Sequence, residues 1–177
     1  TIVLNRPQVM NALDAGMIVR LRAVCEQTRD DKAVRAVVLR GNGPAFLAGG
    51  DVALFHANLP RLPELVRELA GELHHAIIAL REAAKPVVAS VHGAVAGAGV
   101  SLLAAADLAI AAADTKFTLA YSKIATSPDG GSTYFLPRIV GTRKALELMM
   151  LSDTFDADAA LASGLVNWVV ASADLAA

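Results

Sequence analysis

Cysteine is nearly missing from this sequence: Cys25 stands alone among 177 residues. A single thiol excludes an internal disulfide and any cysteine-cluster metal site, and it fits a reducing compartment. No histidine and carboxylate group shows metal-ligand spacing either, so no metal is expected. Aromatic residues make up only 5%, too few for a base-stacking platform. Charge of one sign is missing as well. Sixteen basic and 17 acidic residues leave a net charge of -1, which argues against a nucleic-acid surface or a polybasic membrane anchor. No basic segment with a cleavage site precedes Thr1-Ile2-Val3-Leu4, so no leader is visible and the expected location is the cytoplasm. Charges are also absent from Pro86 to Ala106, a stretch long enough to span a bilayer. Its Ala, Gly and Val content, broken by Pro86, His92, Gly93, Gly97 and Gly99, reads instead as strand, turn and helix, so no membrane span is expected.

What is present is core-forming material. Hydrophobic residues reach 55%, enough for a packed domain and too many for a disordered chain. Thr1–Leu4 reads as a strand ending at the turn Asn5-Arg6-Pro7. A helix follows, with Leu13, Met17, Leu21 and Val24 on one face and Cys25 a packing residue. Val34–Leu39 reads as a strand broken by Gly41-Asn42-Gly43-Pro44, and the loop from Ala45 to Asp51 comes next. Leu62, Leu65, Leu69, Leu73, Ile77 and Leu80 have helical spacing as far as Ala84, where Lys85-Pro86 stops the helix. Val87–Val91 is a buried strand, Gly97–Ala106 a helix after a glycine turn, and Leu108–Ala112 a strand. Ser127 to Ser132 is the strongest loop signal. Short helices at Arg143–Leu151 and Asp158–Ser163, the second capped by Gly164, lead to a last strand at Val166–Val170. Strands alternating with helices predict an α/β fold with largely parallel strands.

Two glycine loops could carry chemistry. Gly93-Ala94-Val95-Ala96-Gly97-Ala98-Gly99 follows a strand and opens a helix, so free backbone N–H groups can face a ligand there. A dinucleotide fingerprint is incomplete, because Leu102 stands where the third glycine belongs. The local pattern leaves three readings open: a nucleotide site, an oxyanion site, or close helix–strand packing. Ala48-Gly49-Gly50-Asp51 also follows a strand; alone it reads as a plain turn. Together, two such loops could bring paired donors to one oxyanion.

Seven motifs then occur in order along the whole chain. They are Asn5-Arg6-Pro7 with Asn11-Ala12-Leu13, Ala45-Phe46 through Gly49-Gly50-Asp51, Lys85-Pro86-Val87, His92-Gly93 through Gly97-Ala98-Gly99, Pro128-Asp129-Gly130-Gly131, Leu136-Pro137-Arg138, and Ala162-Ser163-Gly164-Leu165-Val166. In this order they resemble the enoyl-CoA hydratase/isomerase (crotonase) superfamily. The resemblance implies a crotonase-like spiral of ββα units, an acyl-CoA thioester as substrate with coenzyme A as part of it and no further cofactor, and a homotrimer or hexamer. The family's C-terminal helical segment and complete opening hairpin do not appear, so residues 1–177 are expected to form a single acyl-CoA-binding domain incomplete at both ends.

By position the resemblance makes the amides of Gly50 and Ala98 the oxyanion donors, with Ala98 in place of a commoner glycine. It puts Met10, Ala48, Gly50, Asp51, Val52, Ala53, Gly97, Ala98 and Tyr121 along the substrate's path. The two glutamates of typical hydratases are replaced by Ser101 and Tyr121, which puts simple hydration in doubt. Asp129 stands where several family isomerases place one acidic residue. One carboxylate suffices for a 1,3-proton shift; the bland alternative is that Asp129 only stabilises its own turn. His74 matches the histidine of 4-chlorobenzoyl-CoA dehalogenases, whose tryptophan is replaced by Tyr121; it could equally be a surface or interface histidine. Ser101 lacks the glycine context of a nucleophile elbow and His92 reads as a buried, hydrogen-bonded side chain. The expected activity is enoyl-CoA double-bond or ring-type isomerisation through Asp129. The alternatives are a hydratase, hydrolase or dehalogenase on the same scaffold, a non-catalytic acyl-CoA-binding subunit, and remotely a nicotinamide-linked oxidoreductase.

Overall fold

The computed structural model describes residues 1–175. Its centre is the strand Val87–Val91, where Val87, Ala89 and Val91 are buried on one face. In chain order the elements are β1 (Ile2–Leu4), α1 (Ala15–Asp30), β2 (Val37–Gly41), α2 (Val52–Ala57), α3 (Leu62–Glu82), β3 (Val87–Val91), β4 (Ala94–Ala96) and α4 (Ala98–Ala104). There follow β5 (Leu108–Ala112), β6 (Lys116–Thr118), α5 (Ser132–Ile139), α6 (Thr142–Leu151), β7 (Phe155–Asp156), α7 (Ala157–Ala162) and β8 (Trp168–Val170). Five strands form one parallel sheet in the order β1-β2-β3-β5-β8, and three form a smaller sheet in the order β4-β6-β7. From β3 onward the chain steps from the large sheet to the small one and back, β3-β4-α4 and then β5-β6. That is the expected ββα spiral. Parallel strands need crossover connections, and α1, α3 and α4 supply them.

Local chemistry sets the helix boundaries. Asp14 accepts a hydrogen bond from the Met17 amide at 2.8 Å and so starts α1 one residue later. The buried face of α1 is Ile18, Leu21 and Cys25. This differs from the expected stripe, because Leu13 precedes the cap and Val24 faces solvent. Cys25 is fully buried, and burial pushes its thiol up to about 12, which suits a packing residue. α3 buries Leu69, Leu73, Ala76, Ile77, Ala79 and Leu80, and it is tied to α1 by Arg22 and Glu72 at 3.0 Å. Gly164 turns left-handed after α7 (φ 78°), as a helix-ending glycine does.

Three expectations need correction. The glycine stretch 93–99 is not all loop: it contains β4. The second strand starts at Val37 and the last at Trp168, both later than their apolar runs. Residues 132–139, for which no element was expected beyond the loop ending at Ser132, form a helix despite Pro137. Among the described residues no helix is long and apolar enough to cross a membrane, and Pro86–Ala106 is divided among β3, β4 and α4.

The loop after β2 is pinned by a side chain from more than thirty residues earlier in the chain. Asn11 is fully buried with φ 59°, a backbone region asparagine tolerates. Its amide donates to the carbonyls of Ala45 (2.8 Å), Asn42 (2.9 Å) and Phe46 (3.2 Å), and its oxygen accepts from the Arg6 amide at 2.7 Å. Asn11→Ala should therefore cost about 2–4 kcal/mol in urea unfolding, since it strands several buried groups at once. A change within about 0.5 kcal/mol, the range of ordinary surface substitutions, would mean that water or neighbouring groups replace the clasp.

Candidate active site

Two parallel bridges shape the loop that leaves β2. At its start Leu47 pairs with Val95: the Leu47 amide donates to Ala94 at 3.2 Å, and the Ala96 amide donates to Leu47 at 2.9 Å. Three residues on, Gly50 pairs with Leu13 through its flanking groups. The Leu13 amide donates to the Gly49 carbonyl (2.8 Å), and the Asp51 amide donates to the Leu13 carbonyl (2.9 Å). In such a bridge the central residue's own N–H points the other way. The Gly50 N–H has no acceptor among the described residues. Neither has that of Ala98, the first residue of α4, whose N–H precedes the intrahelical ladder.

The two bends touch. Gly97 adopts φ 49° and ψ -118°, and a Cβ placed on it would lie 3.7 Å from Gly49 Cα. The loops behind Gly50 and Ala98 thus meet, and both residues line one cavity of about 310 Å³ with largely apolar walls, among them Leu13, Phe55, Leu69 and Leu119.

Asp129 faces the same cavity. Its turn is held through its main chain: the Ser132 amide and hydroxyl donate to the Asp129 carbonyl at 3.0 and 2.8 Å. Its carboxylate makes no bond to that turn. Instead Oδ1 accepts from the Tyr121 hydroxyl at 2.6 Å, and Tyr121 Oη lies 2.9 Å from Ser101 Oγ. Gly130 (φ 56°) lets the turn press on α4, where a Cβ would meet Ser101 Cβ at 2.7 Å. Burial pushes the Asp129 carboxyl above the ordinary carboxylate range, opposed by the Tyr121 hydrogen bond and by His74 when that ring is charged. Burial and the adjacent carboxylate push the Tyr121 phenol well above its usual value.

Of the residues expected along the substrate's path, Ala48, Gly50, Val52, Gly97, Ala98 and Tyr121 line this cavity, together with Asp129. Four expected residues do not. Met10 is half exposed and reaches the loop only through its carbonyl, which accepts from the Ala48 amide at 3.0 Å. Asp51 caps α2 by accepting from the Leu54 amide (3.2 Å) and pairs with Arg6 at 3.1 Å. Ala53 lies exposed on α2. His74 is exposed and lines a neighbouring outer cavity of about 610 Å³ that shares Asp129. Its Nε2 accepts from the Gly130 amide at 3.0 Å, so that lone pair braces the turn and is not free for substrate. His92 holds the Gly43 carbonyl at 2.8 Å. Sequence reasoning gave no role to Asn11 or Arg6, which fix the loop, or to Phe55, whose ring lies 2.6 Å from where a Gly50 Cβ would be. Their positions inside quoted motifs were the available signal for Asn11 and Arg6. Among the described residues no group of three or more His, Cys, Asp or Glu could hold a metal ion.

Comparison with known proteins decides the family. The family model described as Enoyl-CoA hydratase/isomerase matches residues 1–177. The chain belongs to the enoyl-CoA hydratase/isomerase family. It is 38% identical over 173 residues to a Rhodobacter capsulatus protein named "Probable enoyl-CoA hydratase", covering 98% of this chain and 65% of that protein. It is 33% identical to the 1,2-epoxyphenylacetyl-CoA isomerase of Escherichia coli over 177 residues, covering 99% of this chain and 68% of the relative. A crystal structure of an enoyl-CoA hydratase from Mycobacterium smegmatis superposes with a TM-score of 0.90 at 35% identity, covering 98% of this chain and 66% of that one. This family member therefore spans about two thirds of the length of such relatives.

The raised carboxyl has a consequence for stability. A group that binds its proton more tightly when folded weakens the fold as pH rises from the unfolded value through the folded one, and that loss persists at neutral pH. Asp129→Asn should accordingly raise Tm at pH 7, with the gain shrinking as the pH falls below the ordinary aspartate range. Thermal melts at both pH values check this; an equal or lower Tm at pH 7 would show that the ionised carboxylate is not destabilising.

Proposed function

We propose that this site binds an acyl-CoA thioester and moves a carbon–carbon double bond, or carries out an analogous ring rearrangement, with Asp129 as the proton shuttle. The observation that carries the reading is the pairing of two acceptor-free amides with one carboxylate on a single apolar-walled cavity. The thioester oxygen would sit against the Gly50 and Ala98 N–H groups. Asp129 removes a proton from the carbon next to the carbonyl. The electron pair delocalises into the thioester as a dienolate, and the two amides stabilise its oxyanion. The carboxyl then returns the same proton two carbons further on, so no other reactant is consumed and no cofactor is needed. Coenzyme A enters and leaves as part of the substrate. A carboxyl held above its usual range suits this role, because it must take a proton and give it back.

Hydration of a double bond asks for more: one group to take a proton from water and another to deliver one to carbon. Among the residues lining the cavity Asp129 is the one carboxylate, and the positions matching the family glutamates hold Ser101 and Tyr121. The hydratase name of the Rhodobacter capsulatus relative favours the competing reading, so both reactions belong in the test. Assembly as a trimer or hexamer is part of the proposal, supported by the exposure of Met150, Leu151 and Trp168. A cytoplasmic setting is supported by the lone buried thiol.

The purified protein should convert a 3-enoyl-CoA to its 2-enoyl isomer faster than it hydrates a 2-enoyl-CoA. Asp129→Asn should lower kcat by about 10²–10⁴, the usual contribution of a positioned acid–base group, with thioester affinity little changed. Ala98→Pro removes one donor at a helix position that tolerates proline, and it should lower kcat by about 10²–10³. Undiminished turnover by Asp129→Asn removes Asp129 from the chemistry, and preferred hydration replaces the isomerase by a hydratase.

A further inference from the structure

Asp129, Tyr121 and Ser101 form a chain of three side chains with an order that can be worked out. An ionised carboxylate has no proton to give, so across the 2.6 Å contact Tyr121 donates to Oδ1. A phenol has one proton. The 2.9 Å contact behind it must therefore be filled by the Ser101 hydroxyl donating to Tyr121 Oη. Ser101 has a second acceptor in reach, the Gly97 carbonyl, but at 3.4 Å. Ser101 is fully buried and Tyr121 nearly so, which keeps water from competing for either hydroxyl.

We infer that Tyr121, backed by Ser101, is a positioning residue for Asp129: it occupies Oδ1, leaves Oδ2 as the oxygen that exchanges a proton with substrate, and keeps the half-buried carboxyl ionisable. This rests on the proposed isomerase reading for its substrate half alone; the effect on the carboxylate stands on the geometry. The assignment differs from the expected substrate-binding role of Tyr121, because a hydroxyl committed to Asp129 has no proton left for a ligand. It also differs from a proton-donating role, since a phenol beside a carboxylate in an apolar wall holds its proton tightly.

The other charged or titratable groups facing Asp129 are few. Lys123 lines the inner cavity with it, and Arg67 and His74 line the outer one. No side-chain hydrogen bond or ion pair joins any of the three to the carboxylate among the described residues, and all three remain in the variants below. The Tyr121 hydroxyl is the one group removed.

The test reads the carboxyl itself. Carboxyl-labelled aspartate followed by ¹³C NMR gives its titration, with the Asp129 signal identified by its loss in Asp129→Asn. Tyr121→Phe should move the midpoint upward by about 1–2 pH units, the span of a hydrogen bond to a charged group. Ser101→Ala should move it upward by less, because it weakens the donor without removing it. The acid limb of kcat/KM should follow the carboxyl midpoint in each variant, while KM stays near that of the unaltered protein. An unchanged midpoint in Tyr121→Phe overturns the inference, as does a raised KM with no shift. A moved midpoint with a stationary activity limb, or with no isomerase activity at all, sustains the positioning role and defeats the isomerase reading instead. If Tyr121→Phe does not fold, Ser101→Ala decides: an upward midpoint supports the inference and an unmoved one overturns it.

Discussion

A backbone amide normally finds an acceptor, and the structure around this cavity depends on two that find none among the described residues. Gly50 is left without one because its neighbours satisfy Leu13 on the other side of the bridge. Ala98 is left without one because it opens α4, ahead of the first intrahelical carbonyl. Each amide is left free by the secondary structure around it: the Leu13 bridge at Gly50 and the start of α4 at Ala98. The loops converge because Leu47 pairs with Val95 and because Gly49 and Gly97 allow backbone to approach backbone. Donors fixed in this way need no reorganisation when negative charge arrives, which is what makes main-chain amides effective partners for an oxyanion.

The acidic side of the site answers to the opposite constraint. A carboxylate facing an apolar-walled cavity is driven toward its neutral form, and it remains usable as a base only if something favours the charge. Tyr121 supplies that, and its order is enforced by Ser101. Ser101 also reaches toward the carbonyl of Gly97, and that carbonyl belongs to the same peptide unit as the Ala98 N–H. The Ala98 N–H and the Asp129 carboxylate are thus tied to one frame, α4 and the turn that Gly130 presses against it. Arg6 performs the matching task for the other donor, since it pairs with both Asp14 and Asp51, the caps of α1 and α2.

Much of this was legible in the residues before any coordinates. β3 and β5 were read with their observed ends because their apolar runs are bounded by Pro86, Gly93 and Asp107. α3 declared itself through six apolar positions at helical spacing. The small sheet was not legible, because strands of two or three residues carry no period. α5 was hidden by Pro137 and by the glycines before it. At the site, the residues named through backbone conformation, Gly50, Gly97 and Ala98, fall on the cavity. Asp51, named with its loop, and His74, named by position on α3, instead cap α2 and brace the Gly130 turn, whereas the Asp129 and Tyr121 side chains do face the cavity. A motif fixes where the chain goes; it does not say which way a side chain points once a nearer partner competes for it. Asn11 shows the same limit from the other direction. Its position was quoted, yet three hydrogen bonds to carbonyls more than thirty residues away cannot be seen from spacing.

The fold itself does not choose the reaction. A pair of donors on a thioester oxygen serves any chemistry that passes through an enolate, so the outcome is set by which protons can be moved and from where. Here Tyr121 donates its hydroxyl to Asp129, and the Ser101 hydroxyl lies against Tyr121, beside the one carboxylate that lines the cavity. The three side chains are coupled in space. Tyr121 occupies one oxygen of Asp129 and leaves the other free, the minimum that the proposed proton shift within a single substrate requires.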